Sequence, residues 1–219
     1  MTLALFDLDN TLLGGDSDYS WGQFLVSQGL VDVKTYSDAN DRFYQDYLDG
    51  TLDAVAYQEF SLAPLAGKTR REMHEYHLLF MKEYIEPIWL PKAMDLLAEH
   101  RQKGDRLVVI TATNRFIVEP IVRSMRVDDL ICTETEIIGK TYTGKLIGEP
   151  CMGEGKVSKL EGWLKAQDES IEGAHFYSDS HNDLPLLSLV DQPVAVDPDD
   201  KLRSIATEKD WPIISLRDL

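Results

Sequence analysis

Short apolar runs alternate with helical stretches along most of this chain, and this alternation constrains its fold more than any other feature. The apolar runs are too short for helices and predict buried strands; they lie at residues 3–7, 106–111, 174–178, 193–197 and 212–215. Helices are expected between them, at 92–103, 115–125, 155–167, 183–190 and 199–208, although Pro120 is unfavourable inside a helix. This order predicts an α/β fold, in which helices cover both faces of a parallel sheet.

Two segments depart from this rhythm. Residues 136–147 are typical of a hairpin at the edge of the sheet. Residues 15–88 are predicted to be helical: aromatic residues recur at helical spacing before Gly50, and Thr69 with Glu72 forms a capping box for a helix that runs through Tyr84. A helical block inserted after the first strand of an α/β core is typical of a lid over a site at the sheet edge. The predicted domains are therefore an α/β core, residues 1–14 and 89–219, and a helical cap, residues 15–88.

The balance of charges narrows the choice of partners. The chain has 219 residues and a formal net charge of −16, which disfavours nucleic acid and anionic lipid as partners. No apolar run approaches the length of a membrane span, and the first residues lack the basic segment of a signal peptide, so we expect a cytoplasmic protein. Cys132 and Cys151 lack the spacing of a disulfide framework or a metal site. The sequence indicates no particular oligomeric state.

Two aspartates mark the end of the first strand. Asp7 and Asp9 are spaced so that, on a strand, both carboxyl groups lie on one side at the carboxyl end of the sheet, where ligands of such folds bind. Two like charges this close require a positive partner. Mg²⁺ takes oxygen ligands, commonly one or two carboxylates together with a substrate phosphate, and is the expected cofactor. The pattern DxD is short, and an Asp9 that only caps the following turn is an alternative.

Three other segments carry groups suited to a phosphate. VVITATN ends a buried strand in the Thr111 hydroxyl and opens a helix, whose backbone N–H groups can hold an anion, and Ala112 and Asn114 are the candidates there. GEGK offers Lys156 at a helix start, where a lysine can neutralise a phosphate or a nucleophile. FYSDSHND ends another strand in the polar residues Asp179, Asn182 and Asp183. Each has a simple structural explanation alone, but together they place acid, hydroxyl, lysine and acid in that order along the chain.

That ordered set resembles the four motifs of the haloacid dehalogenase superfamily of phosphatases. FDLDNTL corresponds to the first motif, the strand end at Thr111 to the second, Lys156 to the third and SDSHND to the fourth, so the resemblance spans the chain. It implies a Rossmann-like core. The helical insertion directly after the first motif resembles the cap of the subclass that contains phosphoserine phosphatase.

The resemblance also implies a mechanism. Asp7 would attack phosphorus and form an aspartyl-phosphate, while Asp9 would protonate the leaving alcohol and then activate the hydrolytic water. Mg²⁺ would be held by Asp7, the backbone carbonyl of Asp9 and Asp179. The other motif residues would bind the phosphate oxygens (Thr111 and Lys156) or orient the lysine and the metal-bound waters (Asn182 and Asp183).

The cap must select the phosphate ester. Phosphoserine phosphatases place an acidic residue nine positions after the nucleophile for the substrate's amino group; Asp16 occupies that position here, with Asp18 beside it. They also carry a cap arginine for the substrate's carboxylate, whereas the corresponding stretch EFSLAPLAG has none. An ester with an amine and no carboxylate describes histidinol phosphate, and DSDYSWGQF resembles the cap entry of histidinol-phosphatases in this superfamily. Asp18 would hold a protonated imidazole, and Trp21 would stack on it.

Other interpretations stay open at this point. GGDSD is compatible with a solvated hinge loop, the cap aromatics with the interior of the lid, and Arg70 or Arg71 with a carboxylate ligand if the alignment shifts. A phosphoserine phosphatase or a broader small-metabolite phosphatase is the nearest alternative. A receiver-type phosphoacceptor uses similar groups, but on a middle strand and without a helical lid. A glycosyltransferase with a DxD motif would leave Lys156 and the acids at 179–183 without a role.

Overall fold

A computed structural model describes residues 2–217, so residues 1, 218 and 219 of the predicted core lie outside the described part of the chain. The strands are β1 (Leu3–Phe6), β2 (Arg106–Asn114), β3 (Asp129–Ile138), β4 (Thr141–Ile147), β5 (His175–Ser178), β6 (Gln192–Val196) and β7 (Ile213–Ile214). They form one sheet in the order β4-β3-β2-β1-β5-β6-β7, in which every neighbouring pair is parallel except β3 and β4. The predicted α/β class is confirmed.

Helices connect these strands in the expected order. After the cap, the helices of the core are α5 (Pro91–Lys103), α6 (Arg115–Met125), α7 (Glu154–Gln167), α8 (Leu184–Leu187) and α9 (Asp200–Glu208). Helix α6 continues through Pro120, and α8 is shorter than predicted because Asp183 belongs to a 3-10 turn, His181–Asp183, and the helix ends at Leu187. No helix of residues 2–217 is both long and apolar enough to cross a membrane.

The strand β1 lies at the centre of the core. Its side chains alternate between the two layers, with Ala4 and Phe6 in one apolar cluster and Leu3 and Leu5 in the other, and all four are fully buried. This is the pattern of a central parallel strand that is covered on both faces. The residue that follows it, Asp7, therefore emerges at the carboxyl end of the sheet, near its middle.

The segment between β1 and α5 is helical, as predicted. It contains α1 (Ser17–Ser27), α2 (Val33–Asp49), α3 (Ala54–Leu62) and α4 (Arg70–Phe80), followed by a π-helical turn at Met81–Ile85 and a 3-10 turn at Glu86–Ile88. The capping box of Thr69 and Glu72 at the start of α4 is confirmed. Where this segment leaves and rejoins the core, Leu13 and Trp89 form an isolated bridge and the Gly14 N–H donates to the Ile88 carbonyl at 2.7 Å. The two connections to the cap therefore lie side by side.

Strand β3 was missed by the sequence analysis, which predicted only the hairpin beyond it. The hairpin itself is confirmed, with its turn at Gly139 and Lys140 between β3 and β4. The missed part, residues 129–135, mixes Asp, Thr and Glu with its apolar residues and so lacks the continuous apolar run of the other strands. Its Thr133 and Thr135 are nevertheless buried, and the Thr133 hydroxyl donates to the Ala112 carbonyl at 2.7 Å.

Candidate active site

Four predicted residues, brought by β1, β2, α7 and the turn after β5, line one cavity between core and cap. Asp7 follows β1, Thr111 lies within β2, and Lys156 lies in the first turn of α7. Asp183 completes the set from the turn after β5. Residues that are more than a hundred positions apart in sequence therefore share one site.

Lys156 holds two carboxylates together. Its Nζ donates to Asp7 Oδ1 and to Asp183 Oδ2, both at 2.7 Å, and all three side chains are buried. Burial lowers the pKa of this ammonium, but the charges of Asp183 and Asp7 outweigh burial, and the pKa is raised above its usual value. The two carboxylates therefore favour the charged form of Lys156.

Local backbone geometry explains why glycines stand just before the lysine at the start of α7. The preceding Gly155 approaches Pro150 so closely that a Cβ at this position would overlap the Pro150 carbonyl oxygen. Gly153, one residue before α7, has a positive φ of 55°. The sequence GEGK is thus needed to bring the start of α7 against the sheet edge.

Asp7 has the electrostatics of a carboxylate placed among like charges. Burial raises its pKa to about 7, Lys156 opposes this, and Asp183 and Asp9 add to it. Lys156 donates to Oδ1, and within residues 2–217 no hydrogen bond is made to Oδ2. The second oxygen is therefore available to a ligand.

Asp9 is held by both the cap and the core. Its Oδ1 accepts from the Ser17 backbone N–H at 2.7 Å, at the first residue of α1, and its Oδ2 accepts from Thr113 Oγ1 at 2.8 Å and from Thr111 Oγ1 at 3.4 Å. Burial raises its pKa, while these hydrogen bonds lower it. Asp9 thus lies where the first helix of the cap meets strand β2, and its contacts go beyond those of a residue that only caps a turn.

The acids at the sheet edge suit a divalent cation. Asp179 Oδ1 accepts from Thr11 Oγ1 at 3.1 Å, and its backbone N–H donates to the same hydroxyl at 3.0 Å. Burial and then the charge of Asp7 raise the pKa of Asp179 well above its usual value, and a cation would relieve this repulsion. Within residues 2–217 no three His, Cys, Asp or Glu side chains are grouped to hold a metal, but the expected set needs only two carboxylates and the Asp9 carbonyl. This oxygen-only donor set fits Mg²⁺.

The cap contributes the opposite wall of the cavity. Asp16 and Asp18 come from the start of α1, and the remaining cap residues come from α2, α3 and the loop between them. These remaining residues are Phe43, Tyr44, Tyr47, Leu52, Ala54, Tyr57 and Gln58. Ala112, from the core, also lines the cavity. The cap wall therefore combines aromatic rings with two acidic groups.

The two cap acids have different roles in the structure. Asp16 caps α1 by accepting from the Tyr19 N–H at 2.8 Å, so it has a structural task besides facing the cavity. Asp18 Oδ1 accepts from Ser61 Oγ at 2.7 Å, whereas its buried Oδ2 has no hydrogen-bond partner. Burial raises the pKa of Asp18 to about 7. An unpaired buried oxygen costs about 1 to 3 kcal/mol of stability.

Three predicted substrate or orienting residues are placed differently from expectation. Trp21 is only 1% exposed and packs among Phe24, Phe80 and other rings away from the cavity, so its expected stacking on the substrate is wrong. Asn114 does not line the cavity, because it caps α6 and donates to Ser61 Oγ at 3.3 Å. Asn182 does line it, but its amide nitrogen donates to the Tyr47 carbonyl of the cap at 3.4 Å, and Lys156 donates to Asp7 and Asp183 instead of to the Asn182 oxygen.

Sequence reasoning also missed three residues of the site. Thr113 donates to Asp9, and its position two residues after Thr111 on β2 could have indicated this. Gln58 and Ser61 are buried on α3, three positions apart, so they share a helix face. Helical spacing predicts that they face inward but does not predict which side chains they meet.

Comparisons with known proteins agree with this geometry. The haloacid dehalogenase-like hydrolase family matches residues 4–188. The chain belongs to this family. A histidinol-phosphatase of Neisseria meningitidis serogroup C (strain 8013) is 44% identical over 98% of this chain and 99% of its own length. The phosphoserine phosphatase SerB1 of Mycobacterium tuberculosis is 31% identical over 98% of this chain and 70% of its own length.

One solved structure superposes on this chain over nearly its full length. A protein of unknown function from Bordetella pertussis Tohama I superposes with a TM-score of 0.92 and is 39% identical, covering 99% of this chain and 100% of that one. The chain described here, as a haloacid dehalogenase-like hydrolase, is a phosphatase. It is a phosphoric monoester hydrolase, and its substrate is a phosphate ester.

Proposed function

We propose that this phosphatase hydrolyses histidinol phosphate in a Mg²⁺-dependent reaction through a phosphorylated Asp7. The proposal for the substrate rests on one observation: the cavity wall supplied by the cap carries acids and aromatic rings but no cation. Of the described residues that line the cavity, Lys156 alone is a cation, and it already pairs with Asp7 and Asp183. Such a wall suits a leaving group that is positively charged and lacks a carboxylate.

The core residues support a two-step displacement. An Asp7 carboxylate oxygen attacks phosphorus, the bond from phosphorus to the ester oxygen breaks, and Asp9 gives its proton to the leaving alkoxide. In the second step Asp9 takes a proton from water, whose oxygen attacks the phosphorus of the aspartyl-phosphate and releases Asp7 and inorganic phosphate. Because burial raises the pKa of Asp9, its proton is held more readily than that of an exposed aspartate.

Other core residues hold the phosphoryl group and the cofactor. Lys156 and the Thr111 hydroxyl neutralise and bind the phosphate oxygens, where charge is spread in the transition state. Asp7, Asp179 and the Asp9 carbonyl would hold Mg²⁺, which when bound screens the attacking carboxylate from the phosphate dianion. Asp183, which accepts from both Lys156 and Ser178 at 2.7 Å, positions the lysine.

The arginines next to the cap stretch do not supply a carboxylate ligand in the cavity. Arg70 and Arg71 begin α4 and are exposed, and neither lines the cavity. A phosphoserine carboxylate in this cavity would therefore face Asp16 and Asp18 without a positive partner, which disfavours phosphoserine. The N. meningitidis relative supports the same choice, since it carries the name histidinol-phosphatase and the match covers 99% of its length.

Steady-state kinetics with both esters test the proposal directly. We expect kcat/KM with Mg²⁺ to be at least about tenfold higher for histidinol phosphate than for phosphoserine, since loss of one buried ionic contact changes binding by this order or more. Removal of divalent cations with a chelator should abolish both activities, and added Mg²⁺ should restore them. An equal or reversed preference between the esters contradicts the proposed substrate but not the phosphatase chemistry.

Substitution of the cap acids separates substrate choice from catalysis. Asp18→Asn keeps an acceptor for Ser61, and Asp16→Asn keeps a favourable helix cap, so neither change should disturb the fold. Each should lower kcat/KM for histidinol phosphate by about 10- to 100-fold, because a charge-assisted contact is lost. The loss with p-nitrophenyl phosphate, which has no amine, should be much smaller. Equal losses on both esters would show that these acids serve the core.

A further inference from the structure

Two buried oxygen atoms of the cap wall have no hydrogen-bond donor. Several buried polar side-chain atoms among residues 2–217 lack a partner, and two of them belong to residues that line the cavity: Asp18 Oδ2 and Gln58 Oε1. The side chains are only 5% and 3% exposed, so bulk water does not readily satisfy either atom. Unpaired acceptors are unfavourable in the free protein, and a ligand that brings N–H groups to this wall would pair them.

The Gln58 amide is oriented by the core. Its Nε2 donates to the Ala112 carbonyl at 3.3 Å, in the strand end between Thr111 and Thr113. The reverse orientation would set two oxygens against each other, so this contact fixes which end of the amide is the free acceptor. Gln58 thus connects helix α3 of the cap to the phosphate-binding strand and still keeps Oε1 for another donor.

The Asp18 carboxylate is oriented in a similar way. Ser61 donates to Oδ1, and Ser61 in turn accepts from Asn114, the residue that caps α6. The Tyr57 hydroxyl and the Gln58 amide lie close enough to Asp18 to lower its pKa, but neither meets Oδ2 with the geometry of a hydrogen bond. The carboxylate is therefore fixed through Ser61 and Asn114 to the same core segment that holds Gln58.

From this geometry we infer that Gln58 is a specificity-determining residue, whose Oε1 forms with Asp18 Oδ2 a subsite for the N–H donors of a cationic, nitrogen-bearing leaving group. This inference rests on the proposed function for the nature of the leaving group. One acceptor is charged and the other neutral, so together they favour a group with several N–H donors and a single positive charge. An ester whose leaving group has no N–H donor would leave both oxygens unpaired.

The variant Gln58→Met tests this role, because methionine matches the length of glutamine but offers no amide oxygen. We expect kcat/KM for histidinol phosphate to fall by about 10- to 100-fold, and to fall at least about tenfold more than for p-nitrophenyl phosphate. Gln45→Met is the matched control: Gln45 is an exposed residue of α2 whose amide donates to Asp49, and kcat/KM for both esters should stay near the values of the unchanged protein. Circular dichroism and thermal melting check that the variants are folded.

The choice of esters separates this inference from the proposed function. Phosphoethanolamine, which bears an ammonium, and glycerol phosphate, which has no nitrogen, are measured beside histidinol phosphate and p-nitrophenyl phosphate. If the unchanged protein does not prefer histidinol phosphate, the proposed substrate is wrong, yet a Gln58→Met loss confined to esters with N–H donors still supports the subsite. If Gln58→Met lowers all four esters equally, Gln58 acts only through Ala112 and the inference is overturned. If that variant does not fold, Gln58→Leu, a second apolar replacement, is measured in its place with the same expected loss, and an equal fall for all four esters would overturn the inference.

Discussion

The two walls of the cavity differ in how completely their buried polar atoms are paired. On the core wall, Lys156 bridges Asp7 and Asp183, and Thr113 and the Ser17 N–H satisfy Asp9. On the cap wall, Asp18 and Gln58 each keep one buried oxygen without a donor. The core wall is thus organised largely by its own side chains and leaves Asp7 Oδ2 open to a ligand, whereas the cap wall keeps two buried acceptors that we propose a ligand pairs.

This difference separates chemistry from substrate choice. A phosphoryl group is common to all esters of the class, so the groups that handle it can be fixed in advance by one another. The leaving group varies, and selectivity for it arises when unpaired polar atoms reject any ester that cannot pair them. The four predictions below test the two walls separately, from the largest expected effect to the smallest.

The largest effect is expected from Asp7→Asn. The proposed nucleophile is removed, so kcat should fall on the order of 10⁴-fold or more with every ester. The fold should persist, because Lys156 keeps its ion pair with Asp183. Steady-state assays measure kcat, and circular dichroism checks the fold. The control is Asp38→Asn, at an exposed position of α2. Activity within about tenfold of the unchanged protein would rule out covalent catalysis by Asp7.

Lys156→Met tests the electrostatic organisation of the core wall. Loss of the cation leaves two buried carboxylates without their partner, and the free energy of unfolding should fall by about 3 to 5 kcal/mol. In an Asp7→Asn background the same change should cost less, because only Asp183 then remains unpaired. Urea denaturation measures both values. Lys165→Met, at an exposed position of the same helix, should change stability by less than about 0.5 kcal/mol.

The pH dependence of stability tests the cap wall. Burial raises the pKa of Asp18 from 3.8 to about 7 in the folded protein. Between these values the folded state binds a proton that the unfolded state has lost, so this group makes the protein less stable as pH rises from about 4 to 7. Asp18→Asn removes this effect. At pH 8 the variant should be more stable by on the order of 1 to 4 kcal/mol, and at pH 4 the two proteins should be nearly equal.

Denaturation curves across this pH range check the sign. A variant that is less stable than the unchanged protein at pH 8 would show that ionised Asp18 stabilises the cap rather than straining it. Together with the kinetic test of Asp18→Asn, we expect this variant to gain stability and to lose selectivity. The reason is that the buried charge that lowers stability is the same group that we propose selects the substrate.

The smallest effect on activity is expected from Trp21→Phe. Trp21 packs in the interior between cap and core, in contact with the rings of Phe24, Phe80 and Phe116. The smaller ring should lower the free energy of unfolding by about 1 to 3 kcal/mol through lost packing. The ratio of kcat/KM for histidinol phosphate to that for p-nitrophenyl phosphate should not change. A change of more than about tenfold in this ratio would place Trp21 in substrate recognition after all.

Most of the core wall could be predicted from the sequence, for a physical reason. Asp7, Lys156 and Asp183 each stand next to a strand or at a helix start whose position follows from apolar periodicity. In a parallel sheet the carboxyl ends of neighbouring strands meet at one edge. Residues at those ends are therefore brought together by the fold class itself, whatever the details of packing.

The cap wall shows where such reasoning stops. Asp18 and Trp21 lie three positions apart on α1, and both are buried. Helical periodicity places both on the inward face, but it does not predict that one reaches the cavity and the other the aromatic interior. Only the docking of α1 against α3 and the core separates them.

The sequence by itself determined the fold class, the order of the motifs and the residues at the strand ends, because these depend on local periodicity and on chain topology. Tertiary structure alone decided that Gln58 meets Ala112, that Ser61 links Asp18 to Asn114 and that Asn182 holds the cap through Tyr47. These contacts join helices of the cap to loops of the core across an interface that has no sequence period. Their partners depend on how two separately formed surfaces fit together, and that is decided by packing in three dimensions.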